Sequence, residues 1–267
     1  PFVAGAETNT LIGLSRLGHD VSWMSAVGDD ELGEFILHKL RAENLNTSFV
    51  KKNNYKTGIF FKQIFPDGDV DVTYYRENSA ASNMTIEDIN MEVVNKSRIL
   101  YLTGITLSLS QQTEEMIFQI LRMLDKNVKV VFDPNIRLKM WSEEKARKTI
   151  LSILPFVNYL LVGENEMEIL LGHKNINRAI EEFEELGCNN IVIKLGKSGA
   201  AYKLNGVQAS MSNPKQFIEI DPVGAGDAFA AGIVSGILKG YEASEIVEKA
   251  CFLGGYITQF HGDYQGF

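Results

Sequence analysis

The sequence has 267 residues, 45% of them hydrophobic and 22% charged, which suffices to bury a full-sized core in one large domain. Its 26 basic and 34 acidic residues leave a net charge of −8 with no basic block to track a phosphate backbone, so nucleic acid is excluded as an expected partner. No apolar run reaches the roughly 18 to 20 residues of a membrane span, and Cys188 and Cys251 stand far apart without disulfide or metal spacing, which points to a reducing, cytoplasmic setting.

Along the chain, Leu11, Ile12, Leu14 and Leu17 predict a helix over 8–17 that Gly18 ends, and a strand is expected over 21–26. After Gly28-Asp29-Asp30, the apolar positions Leu32, Phe35, Ile36 and Leu40 mark a second helix. Residues 57–65 and 70–76 are rich in β-formers and flank Pro66-Asp67-Gly68-Asp69, which is turn chemistry, so a hairpin is expected there. Its residues Phe61, Ile64 and Val72 suggest an apolar face that packs on a second copy in a homodimer, because an isolated two-stranded hairpin is marginal in water. Strands over 98–102, 128–132, 158–162 and 190–194 then alternate with helices over 111–124, 143–154, 164–171 and 177–186. This is the rhythm of a doubly wound α/β fold with a largely parallel sheet. A short strand over 217–220 is expected to run into Gly224-Ala225-Gly226, followed by helices over 228–238 and 243–260.

A strand that delivers a glycine-rich turn into a helix amino terminus binds anions, since unpaired N–H groups and the positive dipole end converge there. Gly224, Ala225 and Gly226 have that pattern, and Asp227 follows directly. A carboxylate would repel a phosphate in a purely binding turn. Asp227 therefore reads either as a helix cap or as a base that takes a proton from an attacking hydroxyl.

Asp221-Pro222-Val223-Gly224-Ala225-Gly226-Asp227 with Ala228-Phe229 resembles the carboxy-terminal signature of the ribokinase-like (pfkB) sugar kinases. Gly5-Ala6-Glu7-Thr8-Asn9 resembles the same family's amino-terminal glycine segment, and Gly28-Asp29-Asp30 with Gly33 stands at the expected place. The resemblance covers nearly the whole chain. It implies a three-layer sheet between helices, with residues 1–267 as the kinase domain and a small β lid inserted at 57–76. It also implies a further strand upstream of residue 1, with Asp227 as base. Within the family, Tyr74-Tyr75-Arg76, Leu102-Thr103-Gly104-Ile105-Thr106, Asp133-Pro134-Asn135-Ile136-Arg137 with Trp141, and His261-Gly262-Asp263 resemble the 2-keto-3-deoxygluconate kinases.

An acid sugar needs fixed cations, and Arg76 and Arg137 can offer bidentate forks, though either could also be a solvated surface charge. The resemblance implies Gly5, Ala6, Asn9, Phe60, Tyr74, Arg76, Ile105 and Asp263 as substrate-binding residues, with Phe60 where a Tyr is frequent. On the nucleotide side it implies Gly163, Lys194, Gly196, Gly199, Gly224, Gly226, Cys251 and Gly254. Gly163 stands where an Asn is usual. Lys194-Leu195-Gly196-Lys197-Ser198-Gly199 by itself is equally a turn between strands. Glu166 either complements its helix dipole or, by resemblance, organises magnesium through water. ATP and magnesium are the implied cofactors, a monovalent cation around Asp221 is left open, and His19, His38 and His173 show no metal spacing. The expected activity is phosphoryl transfer from ATP to the terminal hydroxyl of 2-keto-3-deoxygluconate. The alternatives are a fructokinase and, from another class, a non-catalytic sensor of sugar acids.

Overall fold

The computed structural model describes residues 1–64 and 70–267. Helix α1 (Ala6–Arg16) is followed by β1 (Ala26–Gly28), α2 (Glu31–Ala42) and β2 (Lys51–Asn53). Strands β1 and β2 pair in parallel as a small sheet. The strand expected over 21–26 is reduced to one bridge, Ser22 with Asn46, before β1 begins, because the facing chain turns at 47–50 and offers no continuous ladder. Helix α2 buries Leu37 and Leu40 and leaves Leu32 on its surface.

Strands β3 (Ile59–Ile64) and β4 (Val70–Tyr75) form the expected antiparallel hairpin. The expected turn at Pro66-Asp67-Gly68-Asp69 lies outside the described residues, as does the side chain of Ile64. Phe61 pairs with Thr73 and Lys62 with Val72. Side chains alternate along a strand, so Phe61 and Val72 point to opposite faces. Their grouping on one face is thereby corrected. Val72 lines the cavity beneath the hairpin, whereas Phe61 and Tyr75 make an edge-to-face pair at 5.6 Å on the outer side.

The centre of the molecule comprises α3 (Met91–Lys96), β5 (Ile99–Thr103), α4 (Gly104–Leu109), α5 (Gln111–Met123), β6 (Lys129–Asp133), α6 (Glu143–Ile153), β7 (Tyr159–Gly163), α7 (Glu164–Leu171), α8 (Ile176–Glu185) and β8 (Ile191–Lys194). It continues through β9 (Ala200–Leu204), β10 (Val207–Met211), α9 (Ala225–Lys239) and α10 (Ala243–Ile257). Six strands form one sheet in the order β10-β9-β8-β7-β6-β5, with β5 to β8 parallel and β9 and β10 antiparallel additions. The parallel strands are apolar on both faces. Phe132, Leu160 and Ile193 pack with Ile117, Ile150 and Phe183 from the helices on one side. Val131, Leu161 and Val192 pack with Phe229, Ile233 and Val247 from α9 and α10 on the other. The result is a helix, sheet, helix sandwich whose parallel strands end together at Thr103, Asp133, Gly163 and Lys194.

The strand expected over 217–220 does not form. Ile220 and Asp221 instead donate their amides to the Thr258 carbonyl, and the Phe217 ring packs on Phe252 and Tyr256. The segment thus crosses α10, with its hydrogen bonds met there rather than by the sheet.

Candidate active site

A cavity of about 1060 Å³ runs from the carboxyl ends of the parallel strands, the first turn of α1 and the inner face of the lid hairpin along the open edge of β5, past residues 18–27, α3 and α5. The lid is fixed at its root by the Gly28-Asp29-Asp30 motif. Asp30 caps α2 through Gly33 N at 2.8 Å and accepts the Thr57 amide at 2.9 Å and hydroxyl at 2.7 Å, while Thr57 Oγ1 accepts from Gly28 N at 2.9 Å. Gly33 is required there, since a Cβ would strike the Gly28 carbonyl oxygen.

Of the two glycines in the expected anion loop, Gly224 alone takes a left-handed conformation. Gly224 caps α9 with φ 83°, a left-handed conformation that glycine adopts without strain. A side chain at Gly224 would strike the Asp263 carbonyl, whereas one at Gly226 would meet only open space. The amides of Gly226 and Asp227 lie in the first helical turn, where no preceding helical carbonyl is available to them. Asp227 sits just inside this loop and is 8% exposed. Burial pushes its carboxyl up to about 8, with Asp133 and Asp263 adding to the rise against a hydrogen bond from Asn9. Asn9 Nδ2 donates to Asp227 Oδ2 at 2.8 Å, and its own Oδ1 is buried without a partner among the described residues.

Two guanidiniums face the same cavity. Arg76 stacks on the Tyr74 ring at 3.9 Å, and its Nε is buried without a partner among the described residues. Burial lowers its pKa, Arg137 lowers it further, and Tyr74 and Glu7 oppose the fall. Glu7, quoted above only as part of a glycine motif, accepts from Thr103 Oγ1 at 2.6 Å and Thr106 Oγ1 at 2.9 Å. Sequence reasoning also passed over Lys62, whose ammonium reaches Asp221 Oδ2 at 3.0 Å from the lid. A lone lysine in a β-rich run carries no local signal of such a long-range partner.

Gly5, Ala6, Asn9, Phe60, Tyr74, Arg76, Ile105 and Asp263 all line the cavity, together with Arg137, Glu166, Lys194, Gly224, Gly226 and Asp227. Ala225, Gly163, Gly196, Gly199, Cys251 and Gly254 do not line it. Cys251 packs in the core and burial pushes its thiol up to about 11. Lys194 Nζ donates to Asp133 Oδ2 at 2.7 Å. Burial raises the Asp133 carboxyl, and the Lys194 ammonium opposes that rise. Both oxygens of Glu166 are engaged by backbone, Oε1 by Ile136 N at 2.8 Å and Oε2 by Gly163 N at 2.6 Å. No cluster of three or more metal-ligating side chains occurs among the described residues.

The pfkB family carbohydrate kinase model matches residues 2–266. The chain belongs to the pfkB family of carbohydrate kinases. This kinase is 34% identical over 268 residues to 2-dehydro-3-deoxygluconokinase of Bacillus subtilis, covering 99% of this chain and 83% of that one. Among solved structures it resembles a PfkB protein from Polaromonas sp. JS666, with a TM-score of 0.88 at 33% identity over 96% of this chain and 85% of the other. It shares its fold with a structure described as a ribokinase II of E. coli in complex with ATP and Mg2+, with a TM-score of 0.89 at 23% identity over 100% and 87% of the two chains.

Proposed function

We propose that this kinase transfers the γ-phosphoryl group of ATP to the terminal hydroxyl of 2-keto-3-deoxygluconate. The observation that carries the acid-sugar reading is the pair Arg76 and Arg137, two cations that line one cavity, where a carboxylate would be gripped. The B. subtilis relative, named for the same substrate, supports it. Asp227 takes the proton of the attacking hydroxyl, and Asn9 holds its carboxylate in place. The amides of the Gly224-Ala225-Gly226 turn receive the charge on the transferred group, and Arg137 supplies a second counter-charge. Magnesium, when bound, neutralises the phosphate oxygens. With both Glu166 oxygens held by backbone amides, Glu166 would serve the ion only indirectly, and the nucleotide would be its main partner. Around Asp221, where a monovalent cation would bind, the carboxylate already holds the Lys62 ammonium.

In this reading the chain is one kinase domain with the lid inserted at 57–76, working in the cytoplasm. The outer lid face, with Ile59, Phe61 and Tyr75 exposed, packs on a second copy. A full-length protein that sediments as a monomer at micromolar concentration refutes that pairing. The substrate is tested by ADP release with 2-keto-3-deoxygluconate and with fructose, in wild type and in Arg76→Ala. A charge-assisted hydrogen bond is worth about 1.5–3 kcal/mol, so the substitution raises KM for the acid sugar roughly 10- to 150-fold. It leaves KM for ATP and the turnover of fructose nearly unchanged. Equal effects on both sugars, or a wild-type preference for fructose, refute the acid-sugar assignment and favour a fructokinase. Binding without turnover would leave a sensor.

A further inference from the structure

Lys62 stands on the inner face of the lid hairpin, the face that also carries Phe60 and Tyr74. Its Nζ lies 3.0 Å and 3.3 Å from the two oxygens of Asp221 and 3.9 Å from Asp263 Oδ1. The pair is well covered, with side-chain exposures of 18% for Lys62 and 6% for Asp221. The Asp221 carboxylate also accepts from Val223 N at 3.1 Å, at the start of the anion loop, and from Gly262 N at 3.2 Å, beside Asp263. One carboxylate therefore joins the lid, the anion loop and the segment against which Gly224 is packed.

A second lysine contact of the lid among the described residues, Lys139 with Asp71, leaves both side chains at least half exposed and is worth little. The Lys62 contact differs because its removal strands a covered carboxylate. Asp221 places a negative charge at the start of the loop that a polyphosphate must approach. The Lys62 ammonium, carried on the lid, offsets that charge in this structure.

We propose that Lys62 is a positioning residue that couples closure of the lid to the shape and charge of the anion loop, its ammonium serving Asp221 and Asp263 as a tethered monovalent cation. This rests on the kinase reading above only for the substrate used to assay it.

The test compares wild type with Lys62→Met and Lys62→Arg in the full chain. With saturating ATP, Lys62→Met is expected to lower kcat roughly 10- to 100-fold while KM for the sugar acid changes less than about 3-fold. Lys62→Arg keeps more than about a third of the turnover, since it restores a cation. Ammonium or potassium ions at tens of millimolar recover part of the Lys62→Met loss and do nothing to wild type. Unchanged kcat overturns the proposal, as does a loss that neither arginine nor free cations relieve. A rise in sugar KM with kcat intact also overturns it, making Lys62 a substrate contact. Hydrogen exchange at the Val223 and Gly262 amides supplies a readout that needs no substrate. Both exchange faster in Lys62→Met if the coupling exists, and unchanged protection refutes it even if the chain proves to act on a different sugar.

Discussion

Replacing Asp227 by Asn should cripple turnover and stabilise the fold, with the second effect confined to a defined pH range. Burial holds the Asp227 carboxyl at about 8 in the folded protein, against an ordinary 3.8. Below pH 3.8 the group is protonated in both folded and unfolded chains and costs nothing. As pH rises from there, the unfolded chain ionises first, so folding becomes less favourable by about 1.4 kcal/mol per unit until the folded group ionises near 8. The accumulated penalty is on the order of 4–6 kcal/mol as an upper bound. Asn is neutral throughout and its side-chain oxygen can still accept from Asn9 Nδ2. We therefore expect urea denaturation to show Asp227→Asn equal to wild type near pH 4 and more stable by roughly 2–5 kcal/mol at pH 8. Its kcat falls by about 10²- to 10⁴-fold, the usual contribution of a positioned base. Wild-type kcat/KM should rise with pH toward about 8, because the base works only when ionised. A stability difference that does not change between pH 4 and pH 8 refutes the buried-carboxyl account. Retention of more than about a third of the turnover leaves Asp227 a helix cap rather than a base.

Thr57→Val keeps the shape of the lid root but leaves the Gly28 amide without its acceptor, at a cost of about 1–3 kcal/mol by urea denaturation. It also speeds hydrogen exchange in β3, and unchanged exchange there removes Asp30 and Thr57 as the lid anchor. Gly104→Ala brings a Cβ onto the Pro134 carbonyl oxygen, so the chain must shift beside Asp133. The expected loss is about 1–3 kcal/mol, read as a lowered melting temperature, and wild-type stability would show that the approach can relax freely.

The parallel core was legible because continuous apolar runs of strand length need both faces covered, and the strands at 99–103, 129–133, 159–163 and 191–194 fall within a residue of their expected bounds. The antiparallel edge was missed although its signal was present. Asn205 and Gly206 both have positive φ and join β9 to β10, the turn chemistry of a tight hairpin. The strand expected over 217–220 failed because its β-formers meet an aromatic helix face instead of a sheet edge, a choice that no local pattern encodes. At the site, the glycine loop and Asp227 were readable from spacing. Lys62 and the Asn9 bond to Asp227 were not, since each depends on residues more than 150 positions away.

The bond between Asn9 and Asp227 spans 218 positions, and Thr10 Oγ1 reaches the Asp227 carbonyl at 3.2 Å across almost the same interval. Helices α1 and α9 must therefore meet before Asp227 has its Asn9 partner. Closing so long a loop is entropically slow to reward. The sheet from β5 to β8 can assemble from neighbours in sequence, whereas the environment of the Asp227 carboxylate, the proposed base, is completed by an encounter between distant parts of the chain. A partly folded form with an intact sheet would bind and turn over nothing. Recovery of activity after denaturation thus follows the meeting of these two helices, and secondary structure, measured alone, would report success too early.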